Sequence, residues 1–304
     1  MPLALTMATG APGGGLALVA PRLGALAGRA ERLAIAYRAS GGSIANILLI
    51  ERRRAQLAIA SLPVMAQAWS GDAGWTLGIA LRDFRAMFPL FATSLQVFTL
   101  PGSAIADAAS LSGKRIGVGP AGSAGPALVP RLLAAAGTTP LLLVTGGYRD
   151  QLADLRAGRL DACAFFGASP LPAIAAPTSR RSPALRRIGF DAATVRRMRR
   201  AVPGLAEQPL PEISLPGGTG PAGNAATVAS VAVALCHAGM PDPLAAKLTE
   251  AAMLHRAELL DGLPQATPAP SAWLDGEVAI GIQPGAASVL RRHGFGVPGR
   301  LVRG

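Results

Sequence analysis

The stretch GKRIGVGPAGSAG at residues 113–125 decides the fold more than any other part of this sequence. Its apolar run is predicted to form a β-strand, and the segment after Ser123 is predicted to form an α-helix. Between them Gly117, Gly119 and Gly122 spell G-x-G-x-x-G. That spacing can mark the phosphate-binding turn of a dinucleotide fold. The loop therefore raises two hypotheses, a nucleotide site or a site for a smaller anion.

The nucleotide hypothesis lacks its second element. It needs an acidic residue about twenty positions further on, at the end of the next strand, to hold the ribose hydroxyls. Here that strand ends in Thr-Gly-Gly at 145–147, and the first acidic residue is Asp150, inside the following predicted helix. Pro120 also removes one backbone N–H from the turn. The sequence therefore favours either a smaller anion at the helix N-terminus, or a turn in which Ser123 only caps the helix.

Strand and helix signals alternate along most of the chain, which predicts an α/β fold with two lobes. Lobe 1 would comprise residues 1–95 and 212–304, and lobe 2 would comprise residues 96–211. The hinge would lie near 95–100 and 210–216, where crossover strands join the lobes. Such a layout leaves a cleft between the lobes, and clefts of this kind are preferred ligand sites.

Two further glycine turns occur in the first lobe, in TGAPGGGLA (9–17) and SGGSIANIL (40–48). Both place glycines at a predicted strand-to-helix junction. Ser43 is expected to cap the second of these helices, and Asn46 lies one turn later. Each turn taken alone is an ordinary connection. Three such junctions in two facing lobes predict a cleft lined by backbone N–H donors.

Composition and motifs argue against several other functions. Half of the residues are hydrophobic and 15% are charged, which is typical of a globular chain. No apolar run reaches the ~18 residues of a membrane span. The three histidines, His237, His255 and His293, have no metal-ligand spacing, and the acidic residues form no acid/base pair. We therefore expect no catalytic residues, no metal and no cofactor, and hence no enzyme.

The formal net charge is +12, and arginine supplies 27 of the 29 basic residues because lysine occurs only at Lys114 and Lys247. With so much Ala, Gly and Pro, this pattern is typical of a GC-rich genome, although a positive field also favours anionic ligands. The densest basic run, residues 179–200, lacks the aromatic residues that stack bases. It is interpreted as a solvated face, and no nucleic-acid partner is expected.

The cysteines and the chain start add little. Cys163 and Cys236 lie in apolar segments and are expected to be small buried hydrophobes, with a bridge between them left open. The first fifteen residues have no basic region and too short an apolar run for a signal peptide. The sequence as written thus leaves two alternatives, a cytoplasmic protein or a mature or truncated form.

Taken together and in order, these motifs resemble those of the TAXI-type solute-binding proteins of tripartite ATP-independent periplasmic (TRAP) transporters. The family's T-G-x-x-G-G-T-Y-Y corresponds to TGAPGGGLA, its T-G-G-S-x-x-N-L to SGGSIANIL, and its G-K-R-V-x-V-G-x-x-G-S-G to GKRIGVGPAGSAG. Its L-x-x-G-x-I-D-A-x-F is similar to LRAGRLDACAF (155–165), followed by Gly167 and Pro170. Its I-P-A-G-x-Y and H-P-G-A are approached by LPGGTG (215–220) and QPGA (283–286). The resemblance covers nearly the whole chain.

The resemblance implies a type II periplasmic binding-protein fold, in which two α/β lobes close around a solute like a Venus flytrap. It implies an extracytoplasmic, periplasmic protein that delivers a small organic carboxylate to a TRAP membrane subunit, separate or of the fused type. Contact with the membrane would occur only through that transporter partner. The ligand-binding positions that it implies are Gly14, Gly15, Leu16, Gly42, Ser43, Asn46, Ser61, Gly122, Ser123, Ala124, Gly167 and Gly218.

Three positions depart from the family pattern. Leu16 and Ala17 stand where the family has a tyrosine pair, Ser61 and Pro63 lie in the segment where it has a glutamine, and Gly220 replaces a tyrosine. The backbone-donor turns survive, so an anionic head group is still expected to bind. The rest of the ligand is predicted to be bulkier or more apolar than glutamate, or the affinity to be lower.

Two functions of other classes remain open at this stage. A sensory or regulatory module would keep the fold and signal to a partner protein through the arginine-rich surface at 180–200. An enzyme on the same fold would need a nucleophile or an acid/base set around Ser43, Ser61 and Ser123, which the sequence does not show.

Overall fold

A computed structural model of the protein describes most of the chain, namely residues 4–31, 33–175, 184–210, 225–263 and 278–303. None of the helices in these ranges is both long enough and apolar enough to cross a membrane.

The first unit, residues 4–70, alternates strands and helices as β1 (Ala4–Ala8), α1 (Gly15–Glu31), β2 (Ala34–Arg38), α2 (Ser43–Glu51), β3 (Leu57–Ser61) and α3 (Leu62–Ser70). Strand β1 lies between β2 and β3 and is parallel to both. The strand, glycine turn and helix order predicted for this part of the chain is confirmed.

A long strand, β4 (Phe84–Thr99), leads to the second unit, residues 115–168. That unit consists of β5 (Arg115–Gly117), α4 (Ala124–Ala135), β6 (Leu142–Val144), α5 (Tyr148–Arg156) and β7 (Ala162–Ala168). Strand β5 is parallel to β6 and to β7, so this unit repeats the β-α-β arrangement of the first. The predicted second series is therefore confirmed as well.

The remaining elements complete the sheet and cover it. They are α6 (Pro172–Ala175), β8 (Arg186–Ile188), α7 (Ala192–Ala201), β9 (Ala206–Pro209), β10 (Ala226–His237), α8 (Asp242–Leu254), α9 (Arg256–Leu259) and α10 (Pro284–Arg292). Short 3-10 turns lie at Gly74–Thr76, Ala109–Leu111 and Gly299–Leu301.

The strand order β2-β1-β3-β10-β4-β7-β5-β6 joins the two units through an antiparallel centre. Strand β10 pairs antiparallel with β3 and β4, and β4 pairs antiparallel with β7 beyond Thr93. The first part of the long strand β4 thus pairs with β10, and its last part pairs with β7 of the second unit. The first predicted hinge segment, 95–100, lies at the end of β4, and most of the second, 210–216, lies outside the described residues.

The central strands are buried on both faces. Every residue of β3 is buried, as is every residue of β10 except His237. These strands read as nearly continuous apolar runs because helices cover both faces of the sheet. The edge strands β2 and β6 are more exposed, with Tyr37 and Leu142 about half accessible to solvent. The main core runs from the first unit into the second, and a smaller apolar cluster lies around Tyr148 and Phe165. The turns at the strand ends are therefore held by packed elements.

Two sequence expectations about side chains have clear outcomes. Cys163 and Cys236 are buried and free, as small apolar residues would be, and the bridge that the sequence left open is not formed. Burial raises the pKa of both thiols, that of Cys236 to about 12.

The interpretation of the arginine-rich run as a solvated face holds for α7, where Val195 and Met198 are buried and the arginines are exposed. It is wrong for Arg187, which is 2% exposed in β8 and donates to Ser169 Oγ at 3.4 Å. Burial lowers the pKa of this guanidinium to about 10. Arg187 is buried because its strand pairs with the inner strand β4.

Candidate functional site

A cavity of about 30 Å³ lies where the glycine turns of the two units meet. It is formed at the carboxyl ends of parallel strands in both units, the edge at which open α/β sheets bind ligands. Its lining consists of Ala11, Gly14, Gly15, Leu16, Gly41, Gly42, Ser43, Ser61, Thr93, Ser123, Ala124, Tyr148, Phe166, Gly167, Ala168 and Leu171.

Residues at the N-terminal ends of five helices line this cavity. The first residues of α1, α2, α4 and α5 (Gly15, Ser43, Ala124 and Tyr148) all line it, and so does Ser61, the N-cap of α3. The first N–H groups of a helix have no partner within the helix, and they carry the positive end of its dipole. The cavity is therefore suited to negative charge, although none of these lining residues is charged.

Four buried hydroxyls add polar groups to the lining. Ser43 Oγ accepts a hydrogen bond of 3.0 Å from the Ser61 amide, and Ser61 Oγ lies 3.4 Å from Thr93 Oγ1. Ser123 Oγ accepts from the Gly125 amide at 3.3 Å, so the predicted cap of α4 by Ser123 is confirmed. Because Ser43 accepts a bond in this network, its own hydroxyl hydrogen is left to donate to a ligand.

The prediction that Ser43 caps α2 is wrong. Gly42 is the N-cap of that helix, with φ of 130°, and Ser43 is the first helical residue. A side chain at Gly42 would be strained at this φ, and its Cβ would lie 2.9 Å from Ser123 Cα. The glycine is therefore required by both the turn and the close approach of the other unit.

Asn46 does not line the cavity but lies behind it, fully buried. Its Nδ2 donates to the carbonyl oxygens of Thr9 at 2.7 Å and Ile59 at 2.8 Å, and its Oδ1 accepts from Ser40 Oγ at 2.6 Å. Asn46 thereby ties the ends of β1 and β3 to the turn before α2. Its position is that of a residue that holds the turns in place.

The structure thus brings together nine of the twelve residues proposed from the sequence, Gly14, Gly15, Leu16, Gly42, Ser43, Ser61, Ser123, Ala124 and Gly167. Gly122 lies just outside the lining and packs against Gly41 of the first unit. Gly218 lies outside the described residues, as does Gly220.

Tyr148 is the main lining residue that sequence reasoning missed. Its side chain is buried, and its ring lies between the glycine turns of both units. A Cβ at Gly14 would lie 3.2 Å from its Cε2, and a Cβ at Gly119 would lie 2.9 Å from its Cε1. Burial raises the pKa of its hydroxyl to about 12, opposed by a hydrogen bond with the Ser123 side chain. One sequence signal could have indicated Tyr148 as a site residue. It directly follows Gly146 and Gly147, which form a fourth glycine turn before a helix.

The first unit contacts the second unit and helix α6 backbone to backbone around the cavity. The Ala45 amide donates to the Gly122 carbonyl at 3.1 Å, and the Ala173 amide donates to the Gly13 carbonyl at 2.9 Å. A Cβ at Gly41 would lie 2.9 Å from Gly122 Cα, which leaves no room for a side chain there. The turns of the two units are thus in direct contact, and the cavity between them is small.

Comparison with known protein families assigns the chain to one of them. The model of the NMT1-like family matches residues 7–294, which is nearly the whole chain. The chain belongs to the NMT1-like family. No match is found among curated protein sequences.

Solved structures similar in fold to this NMT1-like protein include a substrate-binding protein of an amino acid ABC transporter and ligand-binding cores. MatC from Rhodopseudomonas palustris with bound malate has a TM-score of 0.56 at 17% identity, over 91% of this chain and 90% of that one. The alkanesulfonate-binding protein SsuA from Xanthomonas axonopodis pv. citri, bound to MOPS, has a TM-score of 0.53 at 16% identity, over 99% and 96%. The GluR0 ligand-binding core from Nostoc punctiforme in complex with L-glutamate has a TM-score of 0.51 at 14% identity, over 86% and 98%. The two-lobed periplasmic binding-protein fold predicted from the sequence is therefore confirmed.

Proposed function

We propose that this NMT1-like protein is an extracytoplasmic solute-binding protein that captures a small organic carboxylate by closure of its two lobes. In this proposal it passes the solute to a TRAP-type membrane subunit and catalyses no reaction. The single observation that carries the proposal is the convergence of five helix N-termini on one cavity without charged lining residues.

An anion is favoured because the cavity offers donors and almost no negative charge. Helix N-termini bind carboxylates and phosphates through their free N–H groups and the helix dipole. The hydroxyls of Ser43, Ser61 and Ser123 can add donors beside them. A carboxylate fits this site better than a phosphate because a phosphate carries more charge, and no lysine or arginine lines the cavity to balance it.

Lobe closure is favoured by the way in which the two units contact each other. Residues 1–95 with 212–304 would form one lobe and residues 96–211 the other. The backbone contacts of Ala45 with Gly122 and of Ala173 with Gly13 would then join the lobes in the closed form. A ligand that binds the closed form more tightly shifts the population towards it.

The structural neighbours support an anionic ligand. Malate, MOPS and L-glutamate, which MatC, SsuA and the GluR0 core are described as holding, all carry a carboxylate or a sulfonate. These proteins are less than 20% identical to this chain, so their ligands suggest a chemical class and not an identity.

The apolar side of the cavity supports the expectation that the ligand is more apolar than glutamate. Leu16, Phe166 and Leu171 line it, which favours an apolar group next to the carboxylate. The bulky alternative is not favoured, because the cavity measures only about 30 Å³.

Thermal shift measurements against a panel of monocarboxylates, dicarboxylates and alkanesulfonates test the proposal. We expect at least one carboxylate to raise the melting temperature in a concentration-dependent manner, because a ligand that binds only the folded state stabilises it. A cooperative melting transition that no member of the panel shifts would contradict the proposal.

A sensory module of the same fold is the second candidate. The observation that favours it is the exposed arginine face of α7, formed by Arg196, Arg197, Arg199 and Arg200. A charged surface of this kind can dock an acidic partner. If that face is a docking surface, reversing its charge would abolish partner binding and leave carboxylate binding unchanged.

A further inference from the structure

We propose that Tyr148 limits the length of the ligand and that the protein selects short-chain monocarboxylates. This inference rests on the proposed function of the cavity and adds a size limit and a residue that sets it. In this proposal Tyr148, the first residue of α5 in the second unit, determines the specificity of the site.

Tyr148 is held in place by contacts on several sides. Its ring packs edge-on against Phe165, with 5.2 Å between the ring centroids and 84° between the ring planes. The turns at Gly14 and Gly119 contact opposite edges of the ring, so that a single added carbon at either glycine would press on it. With 6% of its surface exposed, the side chain is packed against protein on most sides. It therefore acts as a fixed wall.

The remaining walls narrow the cavity on two other sides. Gly41 and Gly42 close one side against Gly122 and Ser123. Phe166, near the end of β7, and Leu171, shortly after that strand, form another side. With these walls in place the cavity measures about 30 Å³, which suits a short chain.

The lining also selects against a second carboxylate. A dicarboxylate would bury two negative charges, and none of the lining residues is a lysine, arginine or histidine. Helix N-termini and hydroxyls can replace the water around one carboxylate, but a second one would contact the apolar side chains of Leu16, Phe166 or Leu171. A monocarboxylate with a short apolar tail matches both parts of the lining.

Calorimetric titration with a length series tests the inference. Acetate, propanoate, butanoate, hexanoate and succinate would each be titrated into the wild-type protein and into the variants Y148A, Y148L and Y148F. We expect the wild type to bind the best short acid at least about tenfold more tightly than hexanoate or succinate. Y148A is expected to bind hexanoate at least about tenfold more tightly than the wild type does, because the wall is removed.

Three controls separate size from other effects. Y148F keeps the ring and is expected to keep the preference for short acids, so a changed preference there would assign the effect to the hydroxyl. Y148L retains more packing than Y148A and gives the same test if Y148A does not fold. Tyr37→Leu alters the chain's other tyrosine, on the edge strand β2, and is expected to leave the preference unchanged.

Two outcomes would overturn the inference, and they differ in what they imply for the proposed function. Equal binding of short and long acids by the wild type, or an unchanged preference in Y148A and Y148L, would refute the size limit and leave carboxylate binding intact. No binding of any acid by folded wild-type protein would refute the proposed function as well.

Discussion

The amide of Ala45 donates a hydrogen bond of 3.1 Å to the carbonyl oxygen of Gly122 and so joins the first turn of α2 to the turn before α4. The two residues are far apart in the sequence and belong to the two different units. Around this bond Gly41 and Gly42 approach Gly122 and Ser123 closely enough that only glycines fit in the first turn. The chemistry of the cavity therefore depends on a contact between two turns that neither unit could form alone.

Gly122→Ala should weaken ligand binding without unfolding the protein. A Cβ at Gly122 would lie 2.9 Å from Ala45 Cβ and 3.2 Å from Gly41 Cα, so the turns would be forced apart. We expect the dissociation constant of the best carboxylate to rise at least about tenfold by calorimetry. Gly74→Ala is the matched control, because nothing lies within 4 Å of its added carbon. Wild-type affinity in Gly122→Ala would show that the contact between the turns is not needed for binding.

Asn46→Leu should reduce stability more than it reduces binding. The substitution removes the donors to the carbonyl oxygens of Thr9, which is partly buried, and Ile59, which is buried, and an unsatisfied buried group costs about 1–3 kcal/mol. We expect the free energy of unfolding in urea to fall by about 2–4 kcal/mol. Carboxylate affinity, measured under conditions where the variant is folded, should change by less than about threefold. Unchanged stability together with lost binding would place Asn46 in contact with the ligand.

Ser123→Ala should affect both the start of α4 and the cavity. The side chain caps α4 through the Gly125 amide, and loss of such a cap costs about 1 kcal/mol of stability. The variant also removes a hydroxyl from the cavity, so the carboxylate should bind more weakly. Ser110→Ala, in the 3-10 turn Ala109–Leu111, is a control for removal of a serine remote from the cavity. Equal carboxylate affinity in the wild type and Ser123→Ala would show that the Ser123 hydroxyl does not contribute to binding.

The stability of the protein should fall as the pH rises from about 10 to about 12, in part because of Tyr148. The pKa of this hydroxyl is raised from 10.0 to about 12 by burial, so the unfolded chain loses its proton first as the pH rises. Between these values the folded state binds more protons than the unfolded state, and the free energy of unfolding decreases with pH. We expect Y148F to lose less stability than the wild type over this range, as measured by urea unfolding. Absorbance of tyrosinate at pH 10 from folded Y37F protein would contradict this account.

Local rules predict the glycine turns of the site well. Gly14, Gly15 and Gly42 follow strands with alternating or continuous apolar residues and precede helices with clear periodicity. Ser123 occupies a position where a short hydroxyl side chain caps a helix, and the structure has it in that role. These features depend on neighbours within a few residues, so one sequence is enough to locate them.

Other features depend on contacts that no local pattern encodes. Tyr148 lines the cavity only because the turns at Gly14 and Gly119 meet around its ring. Arg187 resembles its exposed neighbours in sequence, yet its strand pairs with β4 and its side chain is buried. Helical spacing brings Asn46 near the cavity but does not decide whether its amide faces a ligand or the strand ends. The insertion of β10 between β3 and β4 is likewise a long-range pairing.

The central claim is that helix N-termini at this cavity hold a carboxylate in the absence of a charged side chain. Its most direct test is isothermal titration calorimetry with propanoate and with the neutral propanamide, which has nearly the same shape. We expect saturable binding of propanoate and binding of propanamide that is weaker by at least about a hundredfold, because helix dipoles and N–H donors favour the anion. Equal affinity for the two compounds, or no heat of binding for propanoate in folded protein, would contradict it.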